Sequence, residues 1–565
     1  MSAAETDQKG WLGAATHEVL VRTRSLLPTR SDFTAMRRNP KRDVLAGVTV
    51  AIVALPLALA FGITSGMGAG PGLITAIVAG LFAAFFGGSN LQVSGPTGAM
   101  AVVLLPIVAL YGPSGVLVVG LIAGLILIAL AFAGAGRYMR YIPLPVVEGF
   151  TLGIAIIIAL QQVPSALGYP GEGEKVALIA LSSIQQWFVS PDLAPVLIAF
   201  GVAASMLLAL RFRPGLPVSL VAVAVVTLAV VITGVDVATI GAIPTGLPAP
   251  AIPMIPWGQI SALLLPAAAV AALAALESLL SATVADAMSV GERHNSNREL
   301  FGQGIANLAS PLFGGIPATA AIARTAVNVR TGAKSRLAAI TQSIALLLVI
   351  LVAARWVSYI PLAALAGVLL ATTVQMVEVS NLRTLVRTTR GDATVLIVTA
   401  LATVILDLVT AVIIGLVIAG LYALRQVAKS AHVDELPLDT GDHSEAELAL
   451  LNAHVVAFRL DGPLFFGVAH TFLLEVAEVS DVRVVILRLS RINTLDATGA
   501  AVLGQTIKTL EGRGITVLLS GIKPDHESIF KKMGVYAHLS HEKHVFESTP
   551  AAIEHAHSHV HKMPG

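Results

Sequence analysis

The sequence predicts an α-helical polytopic membrane protein: fourteen segments in a seven-plus-seven inverted repeat, segments three and ten being half-helices, followed by a small cytosolic α/β domain. Three observations predict it. The 565-residue chain is 55% hydrophobic and only 12% charged, too apolar for a soluble protein of this length. Apolar runs of spanning length follow one another from about Val44 to Leu424. The two halves also echo each other. Tyr141-Ile142-Pro143-Leu144 returns as Tyr359-Ile360-Pro361-Leu362, and Gly149 returns as Gly367 at the same offset of 218 residues (359 − 141, 367 − 149). Phe85-Phe86-Gly87-Gly88 is answered by Leu312-Phe313-Gly314-Gly315. Duplication of this kind in a membrane chain points to secondary transport, with a midplane site where two broken helices meet.

Residues 1–43 are mixed in charge and lack the apolar core of a cleaved leader, so they read as a cytosolic N-terminal segment. Residues 44–428 form the transmembrane domain. Its apolar runs lie near 44–63, 70–87, 97–111, 115–134, 144–163, 193–210, 216–234, 259–285, 298–313, 319–330, 337–356, 361–378, 393–408 and 411–427. The third and tenth, at roughly 12 to 15 residues, cannot cross about 30 Å of hydrocarbon at a rise of about 1.5 Å per residue. Each must be a half-helix preceded by extended chain. Such backbone is tolerated at depth only where protein or a water-filled cavity satisfies it.

Basic residues orient the chain. The N-terminal segment holds eight Lys and Arg, and alternate loops hold Arg137/Arg140, Arg211/Arg213, Arg293/Arg298, Arg330/Lys334/Arg336 and Arg383/Arg387/Arg390. The opposite loops show only Lys175 and Arg355. The positive-inside rule then places both termini in the cytoplasm of an inner, plasma-membrane protein. An odd-numbered repeat has to invert, so segment three runs outward and segment ten inward.

Few ionisable groups remain at depth, and two stand out: Glu277 in segment eight and Arg324 in segment ten. Buried charges cost about 2.5–3.5 kcal/mol on insertion scales and are functional candidates by default. Glu277 stands near Ser278 and Ser281 on its helix and suits a carrier of a coupling proton. The alternative is a carboxylate locked to Arg324 or to backbone donors. Arg324 follows the small-residue run Ala318-Thr319-Ala320-Ala321-Ile322-Ala323, while Ser94-Gly95-Pro96-Thr97-Gly98-Ala99 opens half-helix three in the same manner. Two helix N-termini then converge, each with unsatisfied N–H groups and about half a positive charge, which favours an anion. Gly95, Pro96, Thr97, Gly98, Ala320, Ala321, Ile322 and Arg324 are therefore the candidate substrate-binding residues. The competing reading is that Gly and Ala only permit close helix packing. Asp407, at the turn before the last span, reads as a cap, and Glu148 and Asp286 as span-end carboxylates.

These tracts carry a family resemblance. Val53-Ala54-Leu55-Pro56-Leu57-Ala58-Leu59-Ala60-Phe61, Val93-Ser94-Gly95-Pro96-Thr97, Glu277-Ser278-Leu279-Leu280, His294 to Leu300 with Gly302-Gln303-Gly304, and Gly314 to Thr325 resemble the SulP anion transporters, bacterial relatives of solute carrier family twenty-six. The resemblance implies core and gate bundles, substrate between helices three and ten, elevator-like movement, and a homodimer through the cytosolic domain. It divides on coupling. BicA-like sodium–bicarbonate symporters carry an Asp and a Thr as sodium ligands where this chain has Glu277 and Ile322, and the run from Ala318 to Arg330 is similar to the proton-coupled dicarboxylate branch. Leu57, where many members carry Gln, departs from a typical sulfate site.

Residues 429–452 read as a linker and 453–548 as a small α/β domain, with strand-like and helix-like runs alternating. Asn493-Thr494-Leu495-Asp496-Ala497-Thr498-Gly499 and Leu519 to Pro524 resemble the STAS domain shared with anti-sigma-factor antagonists, which implies a regulatory or dimerising role and places Thr498 where that family can be phosphorylated. A plain helix cap by Asp496 or Thr498 is the alternative. The tail, 549–565, carries His555, His557, His559 and His561 at every second position, aligned on one face only in extended chain; it reads as a disordered terminus without specific function, a metal-binding tail being the alternative, and no metal site is assigned to it. With no cysteine anywhere, disulfides and thiolate chemistry are excluded. Neither a catalytic dyad, a cofactor motif nor a nucleic-acid footprint is present.

The expected function is alternating-access transport of a small carboxylate or oxyanion (dicarboxylate, sulfate or bicarbonate), coupled to protons through Glu277. Sodium-dependent bicarbonate symport and anion exchange are the nearest alternatives; a membrane-anchored signalling scaffold acting through a cytosolic partner of the STAS domain is one of another class.

Overall fold

The computed structural model describes residues 23–173, 175–212, 218–254, 257–289, 291–406, 408–429, 432–436, 454–465, 482–541 and 543–561. The chain divides into two compact units, Met1–Leu416 and Val417–Gly565.

The first unit is helical. After a short helix α1 (Arg30–Met36), α2 (Pro40–Thr64) and α3 (Ala69–Phe86) are the first two spans, and α2 starts four residues earlier than expected because Pro40 opens its first turn. A two-residue strand β1 (Ser94–Gly95) precedes α4 (Gly98–Ala133), which covers segments three and four. They part at Gly112, whose φ of +68° breaks the helix ahead of Pro113. The order continues with α5 (Leu144–Leu167), α6 (Val176–Val189), α7 (Leu193–Phe212), α8 (Val218–Thr233), α9 (Ile260–Met288) and α10 (Ser296–Leu312). Strand β2 (Thr319–Ala320) then leads into the nine-residue α11 (Ile322–Arg330). The order ends with α12 (Leu337–Val357), α13 (Leu362–Met376), α14 (Val379–Thr388), α15 (Arg390–Ile405) and α16 (Leu408–Lys429), whose sequence contains the boundary between the two units. Besides α1, two helices among the described residues of this unit lie outside the fourteen expected segments. One, α14, buries no residue and carries Arg383 and Arg387 beside apolar Val379 and Val386, the composition of a helix lying in the interface. The other is α6, in the stretch expected as a loop after segment five. Asp407 lies outside the described residues.

The duplicated glycines explain the symmetry. Helix α5 packs on α15, and α13 packs on α7, so the fifth helix of each repeat meets the sixth helix of the other. A Cβ at Gly149 would run into the Leu396 carbonyl and Thr399; one at Gly367 would run into the Ala199 carbonyl and Val202. Both glycines are the contact points of close helix crossings. Gly149→Val and Gly367→Val should each lower the thermal melting point and shift the detergent-solubilised protein toward aggregate on size exclusion, since overpacking costs about 1–3 kcal/mol. An unchanged melt in both contradicts the packing argument.

The N-terminal segment is tied to the membrane unit. Asp32 accepts from Arg298 at 2.7 Å and pairs with Arg336 at 3.3 Å. Burial alone would raise its pKa, but Arg298, the Thr29 amide and Arg336 outweigh that and hold it below the usual carboxylate value. The tie is therefore in place above the ordinary Asp range and weakens only as pH falls below it. Asp43 accepts from the amides of Lys334 and Ser335 and from the Ser335 hydroxyl.

The second unit is a five-stranded sheet in the order β3–β4–β5–β6–β7: His432–Leu436, Val455–Leu464, Val484–Leu495, Thr516–Ser520 and Val545–Phe546. All neighbours are parallel except β3 with β4. Strand β3 falls in the stretch expected as linker. Side chains alternate across the sheet. Val485, Leu487, Val517 and Leu519 pack with α17 (Ala497–Gly512) and α18 (Pro524–Lys532), while Val484, Ile486 and Leu518 pack under α19 (Thr549–His561) through Ala552, Ile553 and Ala556. The tail, expected as a disordered terminus, is thus a helix, because an apolar face of the sheet would otherwise be bare.

Candidate functional site

The two breaks meet. Ser94 pairs with Ala320 and Gly95 with Thr319, an antiparallel ribbon from which α4 and α11 depart. Backbone at this depth needs partners, and α10 and α3 supply them. Asn307 clasps Ala318 through both amide atoms, donating to its carbonyl at 2.9 Å and accepting from its N–H at 2.8 Å. Gln303 donates to Ser94 Oγ at 2.6 Å and to Glu299 at 3.0 Å. Glu299, 2% exposed, also accepts from the amides of Gly88 and Ser89 and from Gln92. Thr75 on α3 accepts from the Ile316 amide at 2.7 Å. Glu299, Gln303 and Asn307 recur every four residues and so line one face of α10. None of the three was among the candidate site residues; their four-residue polar spacing inside an apolar run is the signal that marks this face.

Around the ribbon stand the candidate residues. Thr97 caps α4, accepting from the Met100 amide, and its hydroxyl donates to Glu277 at 2.9 Å. The carboxyl of the eighth span is thereby attached to the mouth of half-helix three. Arg324, 1% exposed, reaches from the second repeat into the first, donating from Nη2 to the Pro96 carbonyl at 2.6 Å. Its Nη1 is buried without a hydrogen-bond partner among the described residues. Gly95 makes room for it, since a Cβ there would lie 2.7 Å from Nη1 and its φ of +155° is poor for other residues. Glu277 and Arg324 interact electrostatically but form no ion pair within 4 Å among the described residues, so the carboxyl is not locked to the guanidinium.

Other candidates take different places. Ser278 contacts Thr319 Oγ1 and accepts from the Ala320 amide, and Ser281 donates to Thr325. Both serines anchor the second break and α11, not the Glu277 carboxyl with which sequence grouped them. The Ala320 and Ala321 amides are consumed by Ser278 and by the Val93 carbonyl. The open amides of the second half-helix thus belong to the first turn that begins at Ile322, which is 41% exposed beside exposed Ala323. Gly98 is buried against Ile158 and Phe61, a packing role at the first position of α4. Further along α4, a cavity of about 180 Å³ opens among α2, α5, α6 and α13, lined by Leu105, Gln161 and Gln162. The Gln161 amide is buried there without hydrogen-bond partners among the described residues. In the second unit, Asp496 accepts from the Gly499 amide at 2.7 Å and caps α17, leaving Thr498 exposed in the first turn.

Comparison with known proteins agrees with this architecture. The model of the sulfate permease family matches residues 41–399, and that of the STAS domain matches 449–552. The chain is 33% identical over 520 residues to the putative sulfate transporter YvdB of Bacillus subtilis, covering 90% of this chain and 96% of that one. It is 32% identical over 539 residues to the bicarbonate transporter BicA of Synechocystis, covering 92% and 94%. The structure of the murine Slc26a9 anion transporter superposes with a TM-score of 0.80 at 19% identity, covering 95% and 94%, a likeness of fold. The relatives are transporters and not enzymes, and this chain belongs to the sulfate permease (SulP) family of anion transporters, with a C-terminal STAS domain.

Proposed function

We propose that the protein is a secondary active carrier that moves a small carboxylate or inorganic oxyanion by alternating access, with Glu277 carrying the coupling proton. One observation carries the reading: Arg324 holds a buried, unpartnered Nη1 beside the Gly95 break, while the Thr97 hydroxyl links the same break to Glu277. A buried donor without an acceptor is costly, and an anion between the half-helix mouths would satisfy it together with the first-turn amides. Substrate and proton would then meet at one hydrogen-bonded unit. The cavity around Gln161 suits a passage on one side of that unit. The test is uptake of labelled fumarate, sulfate or bicarbonate into proteoliposomes under an inward proton gradient. Accumulation that follows the gradient supports the reading, and accumulation indifferent to it refutes the coupling.

Sodium-dependent bicarbonate symport is the second reading, favoured by the identity to BicA. Replacing sodium by choline separates the two. The orientation read from the basic loops places both termini in the cytoplasm of an inner membrane, and the STAS unit suits dimerisation or a cytosolic partner. Thr498, exposed at a helix N-terminus, suits a regulatory phosphate acceptor, because a phosphate there would lie on open first-turn amides.

A further inference from the structure

In the second unit the strand β7 and the helix α19 bring three histidines together. His544 immediately precedes β7 and is 4% exposed; His555 and His559, four residues apart, share one face of α19. One ring nitrogen of each lies within 4.8 Å of the others. The His555 and His559 Nε2 atoms are 3.2 Å apart. Zinc–imidazole bonds of about 2.0–2.1 Å at tetrahedral angles put neighbouring ligand atoms roughly 3.3–3.4 Å apart, so this pair already spans a tetrahedral edge. His544 Nδ1 faces Ser540 Oγ at 3.2 Å, a partner that fixes the ring and leaves Nε2 for coordination.

We propose that His544, His555 and His559 bind one divalent transition-metal ion of the zinc class, clasping α19 to the strand end of β7. Three imidazoles without a thiolate suit Zn²⁺, Co²⁺ or Ni²⁺. The fourth position falls to water or to exposed His541, whose ring lies 5.8 Å from that of His544. Helicity is what makes the site, since alternate histidines on extended chain would put His557 with the other two. Position 557 instead lies about 200° around the helix from 555 at roughly 100° per residue.

The test uses the full-length protein without an affinity tag, in detergent and stripped of metal by chelator. Titrated with Co²⁺, it should bind one equivalent per chain with the absorption of a tetrahedral ion, and Zn²⁺ should displace it and raise the melting temperature. His555→Ala and His559→Ala, judged folded by unchanged circular dichroism, should lose more than the roughly 10–100-fold in affinity that loss of a supporting partner costs. His557→Ala should bind as the parent does. Absence of saturable Co²⁺ binding, undiminished binding in both single variants, or equal loss in His557→Ala overturns the site.

Discussion

Glu277→Gln should abolish gradient-driven accumulation while leaving exchange of labelled for unlabelled anion measurable. Glutamine has nearly the shape of the carboxyl, and its side-chain oxygen still accepts from the Thr97 hydroxyl that now bonds Glu277 at 2.9 Å. The cap of α4 and the ribbon therefore stay in place. What is lost is the ability to take up and release a proton. One pH unit corresponds to about 1.4 kcal/mol, so one proton per anion gives at most about tenfold accumulation per unit of gradient. The variant should show none, at any gradient. Proteoliposome uptake across a series of imposed pH differences measures the slope directly; a slope equal to that of the parent chain removes Glu277 from coupling.

The fold was legible where a single physical rule decided it. Hydrocarbon thickness against helix rise marked segments three and ten as half-helices, and β1, β2 and the nine-residue α11 stand where that argument put them. The paired Gly149 and Gly367 disclosed a duplication, and each touches the partner repeat. The site was legible in its charges and not in its connections. Arg324 and Glu277 could be picked out because charge at depth is rare, but the sequence offered no reason to route Arg324 across to the Pro96 carbonyl or to give Thr97 to Glu277. Ser278 and Ser281 were misgrouped because helical proximity on α9 says nothing about which neighbouring backbone needs a donor. The helix α19 was missed for another reason. Its four alternating histidines mask a short apolar stripe, Ala552, Ile553 and Ala556, that matters only once a sheet face needs covering.

The polar face of α10 links these successes and failures. Glu299, Gln303 and Asn307 hold the loops of both repeats: Gly88, Ser89, Gln92 and Ser94 from the first, Ala318 from the second. One helix thus sets the spacing between the two half-helix mouths. Symmetry supplies matched helix ends, and the proposed selectivity and coupling rest on side chains without symmetry mates, above all Glu277 and Arg324.

Arg324 carries the second large effect. Its guanidinium presents two arms, Nη2 on the Pro96 carbonyl and Nη1 without a protein partner, and a flat fork of this kind is what a carboxylate or oxyanion engages. Arg324→Lys keeps the charge but offers a compact ammonium that cannot reproduce both arms, so it should raise the half-saturating anion concentration while leaving a folded, active carrier. Arg324→Ala removes the charge and strands the Pro96 carbonyl; truncating one partner of a buried charged contact costs about 2–5 kcal/mol, which for a substrate contact is roughly 30- to several-thousand-fold in affinity. Ranking parent, Lys and Ala by labelled-anion binding to purified protein, with melting temperatures taken alongside, separates affinity from fold. The expected order is a modest loss for Lys and a near-complete one for Ala, at melting points that differ far less than the affinities. If Lys and Ala bind as the parent does, the guanidinium is a strut between the repeats and the anion is held by helix ends alone.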